Sequence, residues 1–345
     1  MTLHQLGFGP FFSDQVPEGA WPARIVSEHR GVLIARDADG VHSIQRSIPA
    51  DAAVGDWVLL EQLDSGLHIE RVLDRTSVLQ RRAAGAFSER QTVAANLDHV
   101  FVVTSLNADL KLSRIERFLV ATRPIPTTVV VNKCDLGAAH RALSEIRALD
   151  ADVIATSALS GLGLDELRSR LEVGKTAGLV GMSGVGKSSL LNAVSRAELM
   201  DTGGIRVSDD RGKHTTTRRQ LFVVPDQGIW VDTPGMRELA LTGDGDPKVI
   251  FADVEELARQ CRYRDCDHDF TEGCAIAAAV EAGNLTWRRV GNWEKLLRES
   301  KRAQNNQKQA LRKKAKKRKK AMLQKIEGKE LAAEIKAAKR RKRRF

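Results

Sequence analysis

The chain has 345 residues, 42% of them hydrophobic and 29% charged, and carries a net charge of +11. That length allows two or three domains with full cores. No run approaches the ~20 consecutive apolar residues of a membrane span, and the N-terminal MTLHQLGFGPFF has neither the cationic lead nor the apolar stretch of a signal peptide, so a soluble cytoplasmic protein is expected.

The charge is unevenly placed. Residues 301–345 hold 20 Lys and Arg against 3 Asp and Glu, net +17, which leaves residues 1–300 with 35 basic and 41 acidic groups, net −6. The basic character therefore belongs to the tail and not to the folded part. Three of the four cysteines, Cys261, Cys266 and Cys274, lie close together and Cys134 stands apart, which is not the pattern of a disulfide framework.

In chain order, residues 1–20 show no periodicity and are expected to form an arm. From 21 to 85, five β-like runs (ARIVSEHRG, GVLIARDADG, VHSIQRSIP, VGDWVLLEQ, GLHIERVLDR) alternate with turn signals such as Gly31 and Asp39-Gly40. This spacing predicts an all-β, OB-like barrel, with Trp57 in its core. Residues 83–96 (AAGAFSERQTVAAN) have the small, polar composition of a linker. Over 92–245, near-continuous apolar strands (99–105, 127–132, 152–157, 177–180) alternate with helical stretches, predicting an α/β domain around a mostly parallel sheet. LFVV and IWVD, joined by Pro225-Asp-Gln-Gly228, read instead as a hairpin that makes one sheet edge antiparallel.

The residues that carry chemistry sit at the ends of these strands. Ala177, Leu179 and Val180 lead into Gly181, Met182, Ser183, Gly184, Val185, Gly186, Lys187, Ser188 and Ser189, and Leu190, Leu191 and Val194 follow at helical spacing. Strand, G-x-x-x-x-G-K-S loop and helix in that order form a phosphate-binding loop. Its backbone N–H groups and helix N-terminus cradle phosphate, Lys187 reaches the β- and γ-phosphates, and Ser188 binds Mg²⁺. Asn132, Lys133, Cys134 and Asp135 follow another strand. The Asp135 carboxylate can accept from both N–H groups of guanine, and buried against adenine it would be left unpaired. Asn132 can hold neighbouring loops, the Lys133 stem can lie over the base, and Thr156-Ser157-Ala158 suits a loop whose N–H meets the guanine oxygen. Thr215, Thr216 and Thr217 and then Asp232-Thr-Pro-Gly235 follow the phosphate loop. Thr217, or next Thr216, and Asp232 are expected at Mg²⁺, with the Gly235 N–H at the γ-phosphate.

Base-recognition residues thus precede the phosphate loop, which precedes the mobile segments, whereas ordinary GTPases run phosphate loop, mobile segments and then base recognition. A circular permutation gives this order without moving any loop from the carboxyl ends of the strands. Beyond it, in 246–300, Cys261, Cys266, His268 and Cys274 form a closed three-sulfur, one-nitrogen set of the kind structural zinc uses. Arg262, Arg264, Arg288 and Arg289, with Trp287 and Trp293, are candidate RNA contacts. The tail, 301–345, is poor in apolar residues and is expected to order on a polyanion.

A barrel, a permuted GTPase domain and a C-x4-C-x-H-x5-C module, with GMSGVGKSS, NKCD, GKHTTT and DTPG, resemble the RsgA (YjeQ-like) family of small-ribosomal-subunit biogenesis GTPases over residues 20–300. Large-subunit assembly GTPases of the YlqF type lack such a zinc module, and YqeH-type proteins place a zinc motif before the GTPase. The resemblance implies GTP, GDP and Mg²⁺ as ligands, slow hydrolysis stimulated by the small subunit, binding to its rRNA and to other assembly factors, and a monomer working in late maturation. The tail is an extension without a counterpart in the family's common pattern. Ras-like enzymes orient the attacking water with a glutamine just after D-x-x-G; here that residue is Met236. With Lys187, Thr216 and Thr217, the best-placed catalytic residue is then His214, where the family carries a histidine. The competing class is a GTP-gated RNA-binding scaffold in which hydrolysis is incidental, and a plain ATPase ranks third.

Overall fold

The computed structural model describes residues 1–29, 31–45, 52–82, 90–106, 110–137, 139–196, 219–233, 246–269 and 272–306, together with 308, 309, 312 and 316. His214, Thr215, Thr216, Thr217, Gly235, Met236 and most of the tail lie outside the described residues.

The five expected strands form: β1 (Trp21–His29), β2 (Val32–Arg36), β3 (Val41–Gln45), β4 (Trp57–Leu63) and β5 (Gly66–Val72). Alternation sets their inward faces, with Leu33 and Ala35 of β2 buried and Leu33 opposite Ile44. β1 pairs with both β2 and β4, β4 pairs with β5, and β3 runs close to β5, so the strands curl around one core of Ala23, Ile25, Leu33, Ile44, Val58 and Leu60. Trp57 is fully buried, but on the other face of β4. There Leu6, the last residue of a 3-10 turn (His4–Leu6), and Phe12 of α1 (Pro10–Ser13) cover it, and the Phe8 ring meets it edge-on at 4.7 Å. The N-terminal residues thus cover Trp57.

The linker expectation needs correction. Residues 90–95 form β7 (Arg90–Ala95), antiparallel to β6 (Val78–Arg82). The small residues there serve close packing: Ala95 N–H donates to Val54 O at 3.0 Å, and a Cβ on Gly55 would fall 2.1 Å from Ala95 O.

Next in sequence are β8 (His99–Ser105), α2 (Leu112–Thr122), β9 (Thr127–Asn132), α3 (His140–Arg147), β10 (Asp152–Ala155), α4 (Leu164–Ser169), β11 (Thr176–Gly181), α5 (Lys187–Ser195), β12 (Arg219–Val224) and β13 (Gly228–Asp232). The sheet order is β10-β9-β8-β11-β13-β12, parallel except for the β12–β13 hairpin. Ile115, Phe118 and Leu119 of α2 pack on one face against Val100, Val102 and Val129. Leu167, Leu190, Leu191 and Val194 of α4 and α5 pack on the other against Phe101, Val130 and Leu179. Burial on both faces is why these strands read as unbroken apolar runs. β12 is antiparallel as expected, but it is not an edge. Its free side takes β1 (Ser27 opposite Gln220, Glu28 opposite Arg219), and the Arg219–Glu28 ion pair closes at 3.0 Å.

The C-terminal part is helical: α6 (Pro247–Ile250), α7 (Ala252–Arg259), α8 (Ala275–Glu281), then residues 287–306, with 308, 309, 312 and 316 helical as well. It is seated on α2 through Glu116, whose side chain is fully buried. That carboxylate accepts from Arg288 at 3.0 and 3.2 Å, from Arg289 at 2.9 Å and from Asn292 at 2.5 Å.

Candidate functional site

The carboxyl ends of β9, β10, β11 and β13 meet at one rim. Buried β11 ends at Gly181, and α5 begins at Lys187, so the intervening backbone turns over the strand end. Gly186 has φ +92° and faces Asn132, whose amide nitrogen would lie 2.5 Å from a Cβ placed there; only glycine leaves that room. The buried Lys187 Nζ donates to Gly181 O at 3.1 Å and Met182 O at 2.9 Å. Burial lowers its pKa, and the nearby Asp232 carboxylate opposes the shift.

Asp232 ends β13 and is 2% exposed. Burial raises its pKa against the attraction of Lys187, and its Oδ1 has no hydrogen-bond partner among the described residues. A buried, unpartnered carboxylate oxygen, with the half-buried Ser188 in the first turn of α5, is an oxygen donor set that fits Mg²⁺. Ser183, Gly184 and Ser189 are exposed, and Val185 is buried beneath them.

Asn132, Lys133, Cys134 and Asp135 are joined directly to this loop. The Asn132 amide donates to Val185 O at 3.0 Å and accepts from Ala158 N–H at 3.2 Å. Lys133, at φ +62°, donates to Gly184 O at 2.9 Å, a tie that sequence reading missed. Cys134 N–H donates to Thr156 O at 3.0 Å, and burial pushes the Cys134 thiol pKa up. Ser157 Oγ donates to Asp135 Oδ1 at 2.5 Å. Asp135 itself is exposed. Its carboxylate is therefore buried only when a ligand covers it.

Thr233 was also missed; its hydroxyl donates to Leu179 O at 2.5 Å and tethers the end of β13 to β11. Beside the glycine-rich loop, Lys111 at the N-cap of α2, Arg114 and Phe118 of α2, and Met182 and Val185 line a small pocket.

The second centre is the Cys261, Cys266, His268 and Cys274 cluster, whose ligand atoms all lie within 4.8 Å of one another. Cys261 Sγ is 3.6 Å from His268 Nδ1 and 3.9 Å from Cys274 Sγ, and Cys274 Sγ is 3.8 Å from His268 Nδ1. A tetrahedron with Zn–S of about 2.3 Å and Zn–N of about 2.0 Å has edges of about 3.5 to 3.8 Å, so the residues fit zinc. Burial would raise the Cys261 pKa, but the backbone N–H groups of Ala275 and Ile276, together with the Cys274 and Cys266 side chains, lower it.

Three of the expected RNA contacts are engaged elsewhere. Arg288 and Arg289 bind Glu116, Arg289 also binds Asp253 at 2.7 Å, and the Trp293 indole N–H donates to Glu255 at 2.9 Å. Arg262, Arg264 and Trp287 remain exposed.

A family model described as RsgA GTPase matches residues 72–242. One described as ABC transporter matches 164–336; the two overlap at the phosphate loop, and residues 132–135 fall only within the first. The small ribosomal subunit biogenesis GTPase RsgA 2 of Vibrio parahaemolyticus is 41% identical over 310 residues, 86% of this chain and 85% of the relative. The small ribosomal subunit biogenesis GTPase RsgA of Xanthomonas oryzae pv. oryzae is 42% identical over 297 residues, 80% of each chain. Among solved structures, YjeQ from Thermotoga maritima matches with a TM-score of 0.54 at 28% identity, covering 81% of this chain and 98% of that one. YloQ, described as a circularly permuted GTPase, matches with a TM-score of 0.54 at 24% identity, covering 82% and 96%. Residues 132–135 precede the glycine-rich loop 181–188 in sequence yet lock onto it in space, which is the permuted order, and these likenesses make the chain a member of the RsgA GTPase family, a circularly permuted GTP hydrolase.

Proposed function

We propose that this GTPase acts on the small ribosomal subunit and its rRNA during late maturation, with slow intrinsic hydrolysis that the subunit accelerates. The relatives' names supply the subunit. The observation that carries the nucleotide reading is the clamp of Asn132 and Lys133 on Val185 O and Gly184 O. It makes base recognition and phosphate binding one rigid unit. In this reading Asp135 takes the guanine N–H pair, Ser157 and Ala158 flank the base with Cys134, and the amides of residues 181–189 with Lys187 hold the phosphates. Ser188, Asp232 and Thr217, or next Thr216, hold Mg²⁺, which when bound neutralises charge on the β- and γ-phosphates. The Gly235 N–H meets the γ-phosphate and His214 orients the attacking water, since Met236 cannot.

Cys261, Cys266, His268 and Cys274 hold one structural zinc, with no open position for chemistry. The order β3-β2-β1-β4-β5 with β3 beside β5 supports reading residues 21–85 as an OB-like barrel. The domains are then an N-terminal segment (1–20), barrel (21–85), GTPase (92–245), zinc module (246–300) and tail (301–345), in a cytoplasmic monomer that meets other assembly factors on the subunit. Among the described residues no helix is long and apolar enough to cross a membrane.

The test is GTP turnover by the full chain alone, with purified small subunits and with large subunits. Acceleration by small subunits only is expected. No acceleration would favour a GTP-gated RNA-binding scaffold.

A further inference from the structure

Asp232 is held in place by neighbours on both sides of β13. On one side Leu179 of β11 lies opposite Asp232, and the Thr233 hydroxyl ties the same strand end to Leu179 O. On the other side Gln220 of β12 lies opposite Asp232. Gln220 is the second residue of β12, which begins at Arg219, and strand ends fray unless something holds them. Here the hold comes from the barrel. Among the described residues two pairs join β1 to β12, Ser27 with Gln220 and Glu28 with Arg219. The Arg219 guanidinium closes on Glu28 at 3.0 Å and on Thr92 O of β7 at 3.3 Å, and the two side chains of the ion pair are only 8% and 16% exposed. Ser27, Gln220, Asp232 and Leu179 thus form one row across four strands, from the barrel to a point two residues before Gly181.

A carboxylate binds a metal best when its direction is fixed before the ion arrives. Asp232 is buried, and its Oδ1 has no hydrogen-bond partner among the described residues, so that oxygen is aimed by the backbone row. A buried, unpartnered carboxylate oxygen turns toward water when the strand end beneath it loosens. We propose that Glu28 and Arg219 are positioning residues for Mg²⁺: by stapling β12 to the barrel they hold the backbone opposite Asp232. The barrel, and not the GTPase domain alone, then sets the affinity for the metal. The proposal rests on the reading of Asp232 as a Mg²⁺ carboxylate. Glu28 and Arg219 act through the strand and touch neither the ion nor the nucleotide. Coupling of this kind is reciprocal, so Mg²⁺ binding in turn tightens the contact between β1 and β12.

The experiment measures binding of a fluorescent, non-hydrolysable GTP analogue to the full-length protein, first in EDTA and then as Mg²⁺ is titrated in. In Glu28→Gln the Mg²⁺ concentration at half-effect should rise about tenfold, as when a group that orients a metal ligand is lost, while affinity in EDTA stays within about twofold. A general loosening of the fold would weaken both. Arg219→Gln should act the same way, and the double variant should be no worse than the weaker single one, because both changes remove one contact. Glu299→Gln, which breaks a partly buried ion pair with Arg117 of α2, is the control and should leave the Mg²⁺ requirement unchanged. Hydrogen exchange gives a readout that needs no nucleotide. Amides of residues 219–221 and 231–233 should exchange about threefold faster or more in Glu28→Gln, while those of 127–132 keep their rates. A wild-type Mg²⁺ requirement in Glu28→Gln overturns the proposal, as do equal losses of affinity in EDTA and in Mg²⁺, or single effects that add in the double variant. Asp232→Asn separates the proposal from the reading beneath it. If that variant keeps its Mg²⁺ dependence, the metal assignment fails and the proposal falls with it. If it loses the dependence while Glu28→Gln does not shift it, the barrel's part fails alone.

Discussion

Replacing Glu116 tests what fixes the C-terminal module to the GTPase domain. Its fully buried carboxylate stands against Arg288, 40% exposed, and Arg289, 9% exposed. In Glu116→Ala, Arg288 can turn to water. Arg289 cannot; it keeps the half-exposed Asp253 at 2.7 Å and its place 4.7 Å over the Phe251 ring, but loses the buried Glu116 carboxylate at 2.9 Å. Removing one partner of a buried pair costs about 3 to 5 kcal/mol, and the exposure of Arg288 places this case near 3 kcal/mol. If the cost falls on local detachment of the module, amides of residues 287–306 should exchange about a hundredfold faster, while those of β8 and β9 keep their rates. Glu116→Leu with Arg289→Met, which replaces the pair by packed apolar groups, should recover most of the loss. Exchange in Glu116→Ala within about threefold of wild type would refute the clamp, as would a double variant as mobile as the single one.

The Asp232 prediction follows from its raised pKa. A carboxyl whose folded pKa lies above its unfolded value of 3.8 contributes stability that is full below pH 3.8 and lost as pH rises through the folded value. Nucleotide-free protein at neutral pH therefore carries the cost of a buried carboxylate. Asp232→Asn should melt higher than wild type at pH 7 by a margin that shrinks as pH falls, and should lose Mg²⁺-dependent nucleotide binding. A margin independent of pH, or a lower melting point at pH 7, contradicts the assignment. For zinc, freshly purified protein should contain about one equivalent, and chelation should release protection over residues 261–281 while leaving the central sheet intact. Metal-free protein with unchanged protection there would show that the cluster needs no ion.

The parts legible in the sequence were those whose signal is local. β8, β9 and β11 are bounded apolar runs, and residues 132–135 and 181–188 sit where a strand meets its loop, so motif and element predict each other. The Cys/His cluster closes over 14 residues, Cys261 to Cys274. What escaped depends on partners far along the chain. β7 read as linker because its residues are small, but they are small because the backbone of Gly55 lies against Ala95. Glu116, within LSRIERFLVA, reads as one charge on a solvated helix face; its partners come more than 170 residues later. Arg288 and Arg289 looked available for RNA for the same reason. The pairing of β12 with β1 joins residues 191 apart and leaves no trace in either strand's pattern.

That pairing also governs how the protein can be taken apart. A GTPase fragment cut away from its barrel would present the outer ladder groups of β12 to solvent as a sheet margin and leave Arg219, 7% exposed here, without Glu28. Bare strand margins recruit other strands, so such a fragment is prone to self-association. In the whole chain β1 shields that margin, and excision of the permuted unit at residue 90 removes its guard.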